Sequence, residues 1–110
     1  MDIFVRHIPT HATQKQLDFY FSGPLKACGI TDYHVEKLGD KPNAIITVLD
    51  TFAGQRFLQQ YGVPIHAPPH LRAPLNLTWD NRNVQCMKAR NDPSDISLQA
   101  ILFDKSQRAR

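Results

Sequence analysis

The chain has 110 residues, room for one domain with a single core. Hydrophobic residues make up 42% and charged residues 21%, an ordinary balance for a folded soluble protein. No apolar run approaches the length of a membrane span and no basic-then-apolar leader pattern opens the chain, so the expected location is intracellular, nuclear or cytoplasmic, without a membrane partner. Cys28 and Cys86 lie far apart, with no CxxC or Cys/His spacing, and read as two free thiols in a reducing compartment. The net charge of +3 is uneven: residues 1–80 carry seven basic and seven acidic side chains. The whole excess falls in residues 81–110, where Arg82, Lys88, Arg90, Lys105, Arg108 and Arg110 outnumber Asp92, Asp95 and Asp104. Such a segment either tracks phosphates or is a solvated surface, and both readings stay open.

In chain order, Ile3 and Val5 alternate with Phe4 and Arg6, a period-2 pattern that predicts a strand with one buried face, ended by Pro9. Thr13 and Gln16 have the spacing of a capping box, and Leu17, Tyr20, Phe21 and Leu25 follow along one helical face. Gly23-Pro24 predicts an interruption, with a restarted turn to Cys28 and Gly29 as the cap. Residues 30–38 read as a second strand, with Tyr33 and Val35 on one side and His34 and Glu36 on the other. Gly39-Asp40-Lys41-Pro42 has turn chemistry. Residues 43–49 form the strongest strand pattern in the chain. Asp50 or Thr51 caps a second helix whose face holds Gly54, Phe57, Leu58 and Tyr61, and Gly62 stops it. A glycine inside a helix costs about 1 kcal/mol relative to alanine, so Gly54 predicts close approach of the helix to the sheet.

Pro64, Pro68, Pro69 and Pro74 mark residues 63–74 as a loop, and the alternation of Leu75, Leu77 and Trp79 predicts the last strand. Residues 81–91 are polar and unpatterned. Asp92-Pro93-Ser94-Asp95 then opens a third helix that carries Ile96, Leu98, Ile101, Leu102 and Phe103. The order βαββαβ predicts an α+β, ferredoxin-like split-βαβ sandwich: four antiparallel strands, two helices on one face, an open opposite face and a C-terminal third helix. Residues 1–80 would be the domain proper, and residues 81–110 a basic linker plus amphipathic helix. The expected core includes Ile3, Val5, Leu17, Phe21, Val35, Ile46, Val48, Phe57, Leu58 and Leu77.

An apolar-aromatic-apolar strand near the start and a Lys-led strand about forty residues later are how an RNA-recognition motif (RRM) arranges its RNA-facing central strands. On that pattern Phe4 and Arg6 stand on the open face with Lys41, Asn43, Ile45 and Thr47. Recognition there rests on rings stacking on bases. Phe4 remains, but the two aromatic positions of the Lys-led strand are Asn43 and Ile45. The expected partner is therefore single-stranded RNA, bound weakly and without sequence preference. Phe4, Arg6, Lys41, Asn43, Ile45, Arg82, Lys88 and Arg90 are the candidate contacts.

The N-terminal strand, the run from Gly54 to Gly62 after Leu49-Asp50-Thr51, and the opening Asp92-Pro93-Ser94-Asp95 together resemble the N-terminal region of fungal RNA-dependent RNA polymerases of the RNA-silencing type. The resemblance covers nearly the whole chain, most clearly residues 1–62. It implies a terminal module of a far larger enzyme, whose DxDGD catalytic run does not occur in this sequence, so no catalytic residue carries over.

Other chemistries fit less well. Acylphosphatase-type hydrolysis needs a glycine-rich anion loop after the first strand, and Arg6-His7-Ile8-Pro9 has none. His66 and His70 stand at i,i+4, but Pro68 and Pro69 separate them and no third ligand is evident. The chain is thus expected to be no enzyme by itself and to hold no metal or cofactor. The rival to RNA binding is a protein-interaction module, docking another protein, the rest of a polymerase, or its own third helix across Phe4 and Ile45.

Overall fold

The computed structural model describes residues 1–89. The third helix expected from Asp92, and Arg90 with it, lie outside the described residues. Strand β1 (Asp2–Arg6) leads to helix α1 (Gln14–Ala27), β2 (Tyr33–Lys37), β3 (Asn43–Val48) and helix α2 (Thr51–Tyr61). A two-strand ribbon, β4 (Thr78–Trp79) and β5 (Arg82–Asn83), precedes β6 (Gln85–Lys88). The main sheet has the antiparallel order β2-β3-β1-β6, so β1 and β3 are its centre.

Local chemistry explains the helix ends. The capping box of α1 is complete: Thr13 Oγ1 accepts from the Gln16 N–H at 3.2 Å, and the Gln16 side chain accepts from the Thr13 N–H at 2.9 Å. At the other end Gly29 is left-handed (φ 75°), and the Ile30 N–H reaches back to the Leu25 carbonyl at 2.9 Å, a Schellman closure. Asp50 caps α2 through bonds from Phe52 and Ala53.

The expected break at Gly23-Pro24 does not occur; α1 runs through it. Pro24 removes one helical donor, but Leu17, Phe21 and Leu25 at four-residue spacing are fully buried, and that packing outweighs the lost bond. On α2, a Cβ at Gly54 would come within 2.8 Å of Met1 Sδ, so the close approach is to the residue preceding β1. Both helices pack on one face of the sheet around Ile3, Val5, Val35, Ala44, Ile46 and Val48. Every expected core residue is buried except Leu58, which packs against the core partly exposed.

The last strand differs from expectation. Residues 75–79 do not enter the main sheet; Thr78 and Trp79 fold back on Asn83 and Arg82 across the turn at Asp80-Asn81, both left-handed at φ 50° and 63°. Trp79 stacks on Tyr20 of α1 (centroids 4.5 Å apart, planes at 19°), and the Tyr20 hydroxyl donates to the Thr78 carbonyl at 2.9 Å. The fourth sheet strand is β6, in the stretch that reads as unpatterned, so the sheet includes residues on both sides of position 80. Of the alternating Leu75, Leu77 and Trp79, Leu77 is buried in the core and Trp79 packs against it, whereas Leu75 is exposed; none of the three enters the main sheet.

Candidate ligand-binding face of the sheet

The pleat puts Ile3 and Val5 on the helix side and Asp2, Phe4 and Arg6 on the outer side, as the alternation predicts. Across the sheet, Glu36, Ile45, Phe4 and Met87 stand in one outer row, one from each strand. A second row holds His34, Thr47 and Asp2, with Thr47 Oγ1 bonded to Asp2 Oδ1 at 3.1 Å. A third holds Asn43, Arg6 and Gln85.

The outer face is not open over its whole width. Gln85 and Met87 point outward from β6 yet are 1% and 4% exposed, and the proline-rich loop lies across Gln85. Gln85 Nε2 donates to the carbonyls of Pro68 and Leu71, each at 2.8 Å, and of Pro69 at 3.3 Å. Arg6 donates through Nε to Gln85 Oε1 and through Nη2 to the Ala67 carbonyl. Asn83 adds a bond to the Leu71 carbonyl at 2.7 Å. The loop is pinned at its ends by the Val63 N–H on the Cys86 carbonyl (2.8 Å) and the Leu75 N–H on the Gln60 carbonyl (3.1 Å).

What this cover leaves is a groove of about 500 Å³ with Phe4 at its centre. Ile45, Met87, Leu38 and Ile65 are its apolar lining, and Asp2, Arg6 and Lys88 its charged lining.

The candidate contacts therefore separate. Phe4 and Ile45 meet in the groove; Asn43 and Arg6 are opposite each other on the outer side, with the Arg6 guanidinium held by the loop. Lys41 is exposed in the turn before β3 and not in the strand, since Pro42 has no N–H to give to a ladder. Lys88 stands opposite Ile3, on the helix side by register, and borders the groove at its rim. Arg82 is on the β4–β5 ribbon beside His7 and Pro69, away from Phe4. Nothing in the sequence pattern marks Met87, Ile65 and Leu38 as groove residues. The Met87 position follows from β6, which the polar composition of residues 81–91 conceals.

Among the described residues no group of three His, Cys, Asp or Glu side chains has metal-site geometry, and no helix is long and apolar enough to cross a membrane. Cys28 and Cys86 are both buried free thiols, and burial pushes Cys86 up to about 12. Burial also raises Cys28, with Arg56 opposing it.

A four-stranded antiparallel sheet with both helices on one side and a ligand-sized groove on the other places this domain in the class of α+β sandwiches compatible with a ferredoxin-like or RRM-type fold. No family model matches the chain, and no curated protein matches it.

Proposed function

We propose that this domain is a non-catalytic, RRM-like module that binds single-stranded RNA weakly and without sequence preference through the outer face of its sheet. The observation that carries the reading is the position of Phe4, at the middle of central strand β1 and in the floor of the groove. A base stacked on one ring contributes about 1–3 kcal/mol, whereas a dissociation constant of about 1 mM already requires roughly 4 kcal/mol. Stacking alone does not reach it, so phosphate contacts must supply the rest and affinity must fall with salt. The sequence resemblance to the N-terminal region of silencing-type RNA-dependent RNA polymerases supports the further reading that this module belongs to such an enzyme, whose catalysis lies elsewhere.

A salt titration with a labelled single-stranded oligonucleotide is the test. A graded loss of affinity with rising salt is expected; no binding even at low salt overturns the reading. Nucleotide-incorporation and phosphatase assays on this chain should be blank, and turnover abolished by Arg6→Ala would revive an anion-binding role for that residue.

A second reading, a protein-docking module, is favoured by one observation. Arg6, the outer-face cation nearest Phe4 in sequence, commits Nε and Nη2 to Gln85 and Ala67, and the lining left around Phe4 is largely apolar. A peptide that binds where the oligonucleotide does not would decide for it.

A further inference from the structure

We infer that the groove over Phe4 is the docking site of this chain's own C-terminal segment, with apolar side chains of residues 96–103 seated against Phe4, Ile45 and Met87. The inference goes beyond RNA binding and does not depend on it. Its first support is where the described chain ends. β6 runs along the groove, Ala89 lines it, and the Ala89 N–H bonds to the Asp2 carbonyl at 3.1 Å, so the chain leaves the sheet at the groove itself. Its second support is the composition of the rest of the chain. Residues 90–110 are 21 residues long and concentrate Ile96, Leu98, Ile101, Leu102 and Phe103 within eight positions. From Ala89, the seven steps to Ile96 span at most about 25 Å, so the segment needs no long excursion to reach the groove.

Tethering lowers the affinity that the contact requires. A short linker holds its cargo at an effective concentration of the order of millimolar, so a contact too weak to form between separate molecules is populated within one. A second apolar depression among the described residues, about 770 Å³ beside Phe19, Tyr20 and Trp79, lies against α1 on the opposite side of the sheet from the point where the chain leaves β6. Docking at the groove would set the segment in competition with any ligand of Phe4, so occupancy of the face becomes adjustable by whatever draws the segment away.

The two methionines give a direct test on the full chain. Met87 is in the groove, and Met1 is on the helix side against Gly54, so a chain labelled at the methionine methyl groups carries one probe and one control. We expect nuclear Overhauser contacts from the Met87 methyl to side chains of residues 96–103 in the unaltered protein. In the double variant Ile101→Asp, Phe103→Asp those contacts should vanish and the Met87 signal should shift. The Met1 signal should stay in place. A Met87 methyl without contacts to residues 96–103 in the unaltered chain overturns the inference, whatever the variant does to folding. Contacts seen only between differently labelled chains also overturn it, in favour of a second copy. The RNA reading fails separately, by absence of oligonucleotide binding in both chains, and that failure leaves the Met87 result unchanged.

Discussion

Arg6 and Gln85 face each other across β1 and β6, joined by a hydrogen bond from the guanidinium Nε to the amide oxygen, and each side chain goes on to a carbonyl of the proline-rich loop. This pair turns a sheet face that alternation alone makes open into a groove with one wall. Arg6, one of the candidate RNA contacts, thus also ties β1 to β6 and to the loop. The buried glutamine is fully partnered, as a polar side chain in such a place must be.

Gln85→Leu keeps the volume but leaves Arg6 Nε without its partner and removes one of the two hydrogen bonds on the Pro68 carbonyl, which keeps the Leu71 N–H. An orphaned buried group costs about 1–3 kcal/mol, so the urea midpoint should drop by a corresponding amount with an unchanged slope. The loop should also become sensitive to limited proteolysis. An unchanged midpoint would mean that the loop does not depend on this pair.

Gly62 and Gly54 should respond differently to alanine. A Cβ at Gly62 would come within 2.4 Å of the Leu58 carbonyl oxygen, at the residue that also bridges to Cys86 of β6. Backbone must move, and Gly62→Ala should cost about 1–3 kcal/mol, the usual range for overpacking. At Gly54 the nearest atom is the end of the flexible Met1 side chain. The helix gains about 1 kcal/mol from alanine, so Gly54→Ala should be close to neutral. Thermal denaturation of the two variants side by side decides; equal destabilisation would refute the distinction.

Phe4→Ala should weaken oligonucleotide binding by about 1–3 kcal/mol, the value of one stacked base. The fold should lose only about 1 kcal/mol, because Phe4 is outward and half-buried and its cross-strand partners are Ile45 and Met87. Fluorescence anisotropy at low salt measures the first quantity and urea denaturation the second. RNA affinity that survives Phe4→Ala would place the binding surface away from the sheet.

Stability should fall in alkali through Cys86. Its thiol, raised from 9.0 to about 12 by burial, keeps its proton in the folded state after the unfolded chain has lost it. Between those values the unfolded state binds fewer protons, so the contribution is complete below about pH 9 and is lost as pH rises toward the folded value. One proton corresponds to a slope of about 1.4 kcal/mol per pH unit. Cys86→Ala should flatten the stability profile above pH 9; a profile as steep as that of the unaltered chain would assign the loss to other groups.

Much of this fold is legible in local chemistry. The Thr13–Gln16 box, the Asp50 cap, Gly29 and the alternation in residues 2–6 and 43–48 are each readable because the determinant and its effect lie within a few residues. The Asp80-Asn81 pair carries a usable hairpin signal as well, since Asp and Asn tolerate the left-handed backbone that a two-residue turn requires. β6 is not legible. Gln85 is a polar side chain on the outward face of an edge strand, and only the loop folded over it makes it a buried residue.

The residues by themselves determined which side of each central strand faces the helices, because the pleat has a period of two and one face must shed its apolar groups from water. That determination put Phe4, Asn43 and Ile45 on the outer face. Tertiary structure alone decided what that face is. It brought Gln85 and Met87 beside β1 from some eighty positions away in the chain, tied Arg6 to the loop, left Lys41 in a turn and Arg82 on a separate ribbon, and enclosed Phe4 in a groove. Such placements depend on pairing between distant strands and on carbonyls of a loop with no periodic pattern, and neither is encoded in the spacing of neighbouring residues.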